Sequence, residues 1–281
     1  MSNEMRKFNG SSGYVAADEL MNSVNIAMAL QKPLLVKGEP GTGKTMLAEA
    51  IAEALDMDLY IWSIKSTTKA QEGLYVYDTV QRLYDSQFGE GDVKDIAQYI
   101  KLGKLGEAFT SEKQCILLID EIDKADLEFP NDLLWELDKM EFYINETKET
   151  ITANTRPIVI ITSNAEKELP DAFLRRCIFH YIEFPDQEKM EEIIKVHYGD
   201  IDRTLVEKAM EAFYDIRNMN EIQKKPSTSE LLDWIQALMI SGVDFQKIKD
   251  EIPFEGVLLK KNEDIDIMHE IKEKGYSLKR W

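Results

Sequence analysis

Gly38-Glu39-Pro40-Gly41-Thr42-Gly43-Lys44-Thr45 decides the fold of this chain. The stretch satisfies G-x-x-x-x-G-K-[ST] at every specified position. Before it, Pro33-Leu34-Leu35-Val36 reads as a short buried strand. After it, Met46 to Leu55 carries Leu47, Ala50, Ile51, Ala54 and Leu55 at helical spacing. Strand, glycine loop and helix in that order are what a phosphate cradle needs. Glycines let the backbone curl so that several N–H groups face one anion, and the helix start adds its positive dipole end. The predicted cradle runs through Gly38, Glu39, Pro40, Gly41, Thr42, Gly43, Lys44, Thr45 and Met46. Lys44 is placed to reach the β- and γ-phosphates of a nucleotide, and the Thr45 hydroxyl to ligate Mg²⁺. The alternative is a chance Gly-rich turn, which ordinary glycine usage would produce in about one chain in a hundred of this length.

A second landmark is Cys115-Ile116-Leu117-Leu118-Ile119-Asp120-Glu121. A continuous apolar run reads as a central strand of a parallel sheet, buried on both faces. Open α/β sheets bind ligands at the carboxyl ends of such strands. We therefore expect Asp120 beside the loop strand, holding Mg²⁺ directly or through water, and Glu121 polarising an attacking water. A simple turn or helix cap is the competing reading of this acid pair. Ile158-Val159-Ile160-Ile161-Thr162-Ser163-Asn164 is a further apolar strand with a polar end. Asn164 is placed to hydrogen-bond the γ-phosphate or the water; alternatively it caps a helix.

Composition bounds the rest. The chain has 281 residues and a net charge of −18. Such acidity disfavours a nucleic-acid partner held by phosphate neutralisation, because those surfaces are basic. Cys115 and Cys177 form neither a disulfide framework nor a metal spacing, so both read as packing residues of a cytoplasmic protein. His180, His197 and His269 are scattered and read as structural. The polar start, Met1 to Gly13, lacks a signal-peptide core, and no run is long enough to span a bilayer.

The remaining chain is predicted as follows. Ala16 to Leu30 has helical spacing, and Leu59 to Ile64 strand propensity. Gly73 to Gln87 is rich in tyrosine and reads as a turn, then a helix over Asp78 to Ser86. It could grip a polypeptide or be a surface helix with half-buried rings. Gly89 and Gly91 break the chain before a helix at Asp95 to Tyr99 and a turn-helix at Gly103 to Phe109. Asn131 to Met140 reads as one amphipathic helix, and Phe142 to Ile144 with Thr150 to Thr152 as a hairpin. A short helix starts at Pro170, and Ile178 to Phe184 is a strand closed by Pro185. The one natural boundary lies there, giving domains 1–185 and 186–281. The second part reads as helices at Glu188 to Tyr198, Arg203 to Arg217 and Thr228 to Ile240, then a mixed, charged end.

The ordered set GEPGTGKT, ILLIDE, VIITSN and LPDAFLRR, with a helical tail, resembles an AAA+ ATPase. The hairpin, the long insert before Cys115, and the stretches LYVYDTVQRLYDSQ, KLGKLGEAF and KPSTSELLDW are similar to the MoxR-type group. The resemblance implies a three-layer αβα P-loop nucleotide domain with a parallel central sheet, then a small all-α lid. It implies ATP and Mg²⁺ as ligands, ATP hydrolysis, and a homo-oligomeric ring of commonly six subunits. In such rings an arginine from the neighbouring subunit stabilises the γ-phosphoryl charge. Arg176 aligns best with that position and Arg175 second; both could instead complement a helix dipole. Tyr14 and Val15 are candidates for base contact, or else ordinary core. Many relatives carry a phosphate-touching arginine where this chain has Thr228-Ser229-Glu230; Lys224 or Lys225 is a poor substitute. The implied role is a chaperone-like remodeler for a protein client, with a von Willebrand factor A-domain partner, in enzyme maturation or metallocofactor insertion. A nucleic-acid-directed motor or loader, and a nucleotide-gated binding module with little turnover, are the alternatives.

Overall fold

The structure is a computed structural model and describes residues 6–89, 93–164 and 166–273. Gly91 and the expected loose end beyond residue 273 lie outside the described residues. The chain opens with α1 (Asp18–Leu30), β1 (Leu34–Gly38), α2 (Lys44–Leu55) and β2 (Leu59–Ser63). An insert follows: α3 (Ala70–Leu74), β3 (Tyr75–Tyr77), α4 (Thr79–Phe88), β4 (Ile100–Leu102) and α5 (Lys104–Thr110). Then come β5 (Ile116–Asp120), α6 (Phe129–Asp132), α7 (Leu134–Lys139), β6 (Glu141–Ile144), β7 (Glu149–Thr152) and β8 (Ile158–Ser163). The sheet is completed by α8 (Asp171–Leu174) and β9 (Ile178–Ile182). The tail is helical: α9 (Gln187–Tyr198), α10 (Arg203–Asn218), α11 (Thr228–Ser241), α12 (Ile248–Glu251), α13 (Glu255–Leu258) and α14 (Asn262–Glu273).

The apolar strand runs have two destinations because successive side chains point to opposite faces. Leu34 and Val36, Ile116 and Leu118, and Ile160 pack in one layer with α1 and α2 residues such as Leu20, Leu47 and Ile51. Leu35, Leu117, Ile119, Val159 and Ile161 pack in the other with Phe109, Phe129 and Phe173. Among the described residues the strands form a five-stranded parallel sheet in the order β2-β5-β8-β1-β9. The result is an αβα sandwich of P-loop type followed by helices.

This order corrects one expectation. Asp120 does not sit on the strand beside the loop strand; β8 lies between β5 and β1. Register, not adjacency, brings the ends together: Val36 pairs Thr162, and Ile119 pairs Ile161.

Other differences are local. The helix predicted over Asn131 to Met140 is two short ones, because α6 starts early with Pro130 in its first turn and Leu133 sits at φ −96°, ψ −3°. Tyr75, expected in a turn, opens β3, which pairs antiparallel with β4 across the α4 excursion. Asp95 to Tyr99 is a 3-10 turn, Ile96–Tyr99, capped by the Asp95 carboxylate. The hairpin forms as β6 and β7.

By contacts the chain divides into residues 1–38 with 43–182, and residues 39–42 with 183–281. The second unit has its own core around Phe213, Ile216, Leu231, Trp234 and Leu238. Its α11 starts with a capping box: the Ser227 hydroxyl accepts from the Glu230 N–H while the Glu230 carboxylate accepts from the Ser227 N–H.

Candidate active site

The loop turns on two glycines. Gly41 and Gly43 adopt φ +77° and +80°, where a side chain would be strained. Gly43 also leaves room for the Tyr14 ring, whose Cε2 would lie 3.2 Å from an added Cβ. Tyr14 is thus packed against the loop, and burial pushes its phenol pKa upward. Lys44 opens α2 and is buried; its Nζ donates to the Gly38 carbonyl at 2.9 Å.

Further side chains are linked where α2 begins and where β5 and β8 end. The Thr45 hydroxyl lies 3.0 Å and 3.3 Å from the two Asp120 carboxylate oxygens and donates there. The Thr162 hydroxyl donates to Asp120 Oδ1 at 2.6 Å and accepts from the Glu121 N–H at 2.8 Å. Asn164 Nδ2 donates to Glu121 Oε1 at 3.1 Å, and Lys124 forms an ion pair with Glu121 Oε2. Glu121 itself holds φ +59°, a left-handed conformation uncommon for a side chain of its size. Such outliers persist where surrounding bonds over-determine them, and cluster at working sites. Here the Glu121 backbone is tied by Thr162 and its carboxylate by Asn164 and Lys124.

This arrangement gathers Thr45, Asp120, Glu121 and Asn164 from the residues singled out in the sequence. The Thr45 hydroxyl and Asp120 carboxylate are adjacent hard oxygen donors, a set that suits Mg²⁺, which takes one or two protein oxygens beside phosphate and water. Thr162 was not among the residues singled out. It and Ser163 are the two hydroxyl residues at the end of an otherwise apolar strand, and both are fully buried.

Arg175 and Arg176 lie elsewhere. They precede β9, whose first residue pairs with Leu34 at the start of β1, whereas Gly38 and the glycine loop are at its far end. Four residue steps of strand separate the two levels, about 13 Å. Arg176 Nε donates to Asp138 at 2.7 Å and its Nη1 to the Ala172 carbonyl at 2.7 Å. Arg175 is exposed. Both line a cavity of about 290 Å³ with Lys32, Pro33, Asp138 and Arg156.

In the second unit, Lys224 pairs with Glu230 at 3.2 Å. Another cation, not anticipated, reaches the loop segment grouped with this unit. Arg217, at the end of α10, donates to Glu39 Oε2 at 2.8 Å and to the Pro226 carbonyl. Its guanidinium lies 3.3 Å over the Phe184 ring.

Comparisons with known proteins match this fold. A solved structure from Cytophaga hutchinsonii, described as a presumptive ATPase, superposes with TM-score 0.50 at 15% identity, covering 94% of this chain and 89% of that one. The FtsH ATP-dependent zinc metalloprotease of Pelodictyon phaeoclathratiforme is 27% identical over 79% of this chain but 32% of its own length. The chain thus spans about a third of that relative. An Arabidopsis thaliana 26S proteasome regulatory subunit 10B homolog is 25% identical over 67% of this chain and 45% of its own. An uncharacterized Staphylococcus saprophyticus protein is 26% identical over 87% of this chain and 89% of its own. The profile of the ATPase family associated with various cellular activities matches residues 34–186, more than half of the 281 residues. The chain belongs to this AAA family of ATPases.

Proposed function

We propose that this chain is a Mg²⁺-dependent ATPase of MoxR type that works as a ring and remodels a protein client. The observation that carries the chemistry is the linked set Thr45–Asp120–Thr162–Glu121–Asn164 at the sheet's carboxyl end. The loop from Gly38 to Met46 cradles the phosphates, and Lys44 exchanges its Gly38 carbonyl for phosphate oxygens. Thr45 and Asp120 would hold Mg²⁺, which neutralises charge on the phosphate oxygens. Glu121 accepts a proton from water as the water oxygen bonds to the γ-phosphorus. The bond from that phosphorus to the β–γ bridging oxygen breaks, leaving ADP and phosphate. Asn164 holds Glu121 toward that water.

AAA family members typically assemble as rings, and the arginine placement fits that habit. Arg175 and Arg176, at the opposite level of the sheet from Gly38, cannot serve their own loop; a neighbouring copy's γ-phosphate is the target we assign. Such trans arginines raise turnover by roughly 10³ to 10⁵. The hairpin of β6 and β7 and the β3–α4–β4 insert support the MoxR reading, as does α4 with exposed Val80, Leu83, Tyr84 and Phe88. The client role and a von Willebrand factor A-domain partner rest on resemblance to that group. No helix among the described residues is long and apolar enough to cross a membrane.

Phosphate release with and without Mg²⁺ tests the reading. Wild type should release phosphate from ATP, and Lys44→Ala should lose nucleotide binding. Nucleotide binding without phosphate release, at any protein concentration, would leave only a nucleotide-gated binding module.

A further inference from the structure

A buried carboxylate next to the site remains unaccounted for. Asp123 is 2% exposed and lies in the 3-10 turn Ile122–Lys124 that follows Glu121. Burying a charge is costly unless its hydrogen bonds are met. No cation meets this one among the described residues. Instead Oδ1 accepts the Asn164 N–H at 3.3 Å and Oδ2 accepts the Glu166 N–H at 2.9 Å. The two amides are 41 and 43 residues away in sequence, just past the end of β8.

That placement closes a ring. Asp123 is two residues from Glu121 along the chain. It fixes the backbone of Asn164, and the Asn164 side chain returns to Glu121 Oε1 at 3.1 Å. The residues after β5 and the residues after β8 are thereby tied together at the Glu121–Asn164 pair. Without the carboxylate, Asn164 is the first residue beyond a strand and its N–H has no ladder partner. We propose that Asp123 is a positioning residue for ATP hydrolysis, acting through the Asn164 backbone to hold the Asn164 side chain on Glu121. The proposal rests on the assignment of Glu121 and Asn164 given above. A carboxylate suits the task because both its oxygens only accept. An asparagine at 123 presents one acceptor, and its NH₂ faces an N–H.

Preorganisation of this kind acts on the chemical step more than on ground-state binding. Asp123→Asn should lower kcat roughly 10- to 100-fold, the range over which misplacing a reacting group acts. KM and the dissociation constant for ATP should stay within about twofold. The discriminating test is a double-mutant cycle with Asn164→Ala. If Asp123 acts through Asn164, Asp123→Asn adds less than about twofold to the Asn164→Ala defect. A loss as large in the Asn164→Ala background as in wild type overturns the inference. Amide hydrogen exchange supplies a readout independent of turnover. The Asn164 and Glu166 amides should lose protection in Asp123→Asn, and in Asp123→Ser if the first variant folds poorly. Unchanged protection overturns the inference whatever the rates. A wild type that releases no phosphate overturns both this inference and the hydrolytic reading; additive defects in an active protein overturn this one alone.

Discussion

Thr162→Val removes one hydroxyl and nearly nothing else, and its cost can be worked from two bonds. The Glu121 N–H loses its acceptor at 2.8 Å, and Asp120 loses a donor at 2.6 Å. Leaving a buried N–H unpaired costs about 1–3 kcal/mol, and a hydrogen bond to a charged group is worth about 1.5–3 kcal/mol. Asp120 is only half-buried and keeps Thr45 as a donor, so water recovers much of the second amount. The net loss should be about 2–3 kcal/mol. For a unit of this size that lowers Tm by roughly 5–10 °C. Thr162→Ser keeps the hydroxyl and gives up one methyl, a cost of about 1 kcal/mol. Thermal unfolding of the three proteins, paired with phosphate release, gives the answer. We expect the valine variant to be less stable than the serine variant and to turn over more slowly, because Glu121 at φ +59° is no longer anchored. Equal Tm and equal turnover for valine and serine would refute the claim that this hydroxyl organises the acid pair.

Other outcomes follow from residues farther out. Arg176→Ala should bind nucleotide yet lose hydrolysis, and mixing it with Glu121→Gln subunits should partly restore phosphate release; no rescue in any mixture would count against donation between subunits. Burial pushes the Cys177 thiol up to about 12 and Cys115 up to about 11, so iodoacetamide at pH 8 should label both slowly in native protein and fast after unfolding. Burial pulls the His180 imidazole below its ordinary range, partly opposed by Glu19. The folded protein therefore resists a proton that the unfolded chain accepts near pH 6.5. Its contribution to stability is present above that pH and lost as pH falls through the lower native value. Denaturant midpoints between pH 7.5 and 5.5 should show that fall, reduced in His180→Gln.

The fold was legible where the physics is local. The loop from Gly38 to Thr45 is a contiguous backbone device, and β5 and β8 announce themselves as apolar runs because both their faces are covered. Strand order was not legible, since which run separates β1 from β5 depends on contacts more than a hundred residues apart. Thr162 escaped notice because threonine is also an ordinary strand former, and only the neighbouring Asp120 and Glu121 N–H reveal the hydroxyl's use. Arg217 escaped for a similar reason: a cation ending an amphipathic helix reads as a surface residue until Glu39, 178 residues away, is found beside it. The break between α6 and α7 follows from Pro130 starting a helix early, which a periodic count of leucines does not register.

The most direct trial of the account is ATP binding and single-turnover phosphate release by Glu121→Gln. The amide keeps the shape and can still pair with Asn164, but it cannot take a proton from water. The account predicts ATP affinity within about threefold of wild type and a rate of phosphate release lower by at least about 10², the low end for a positioned base. Release at the wild-type rate would contradict it.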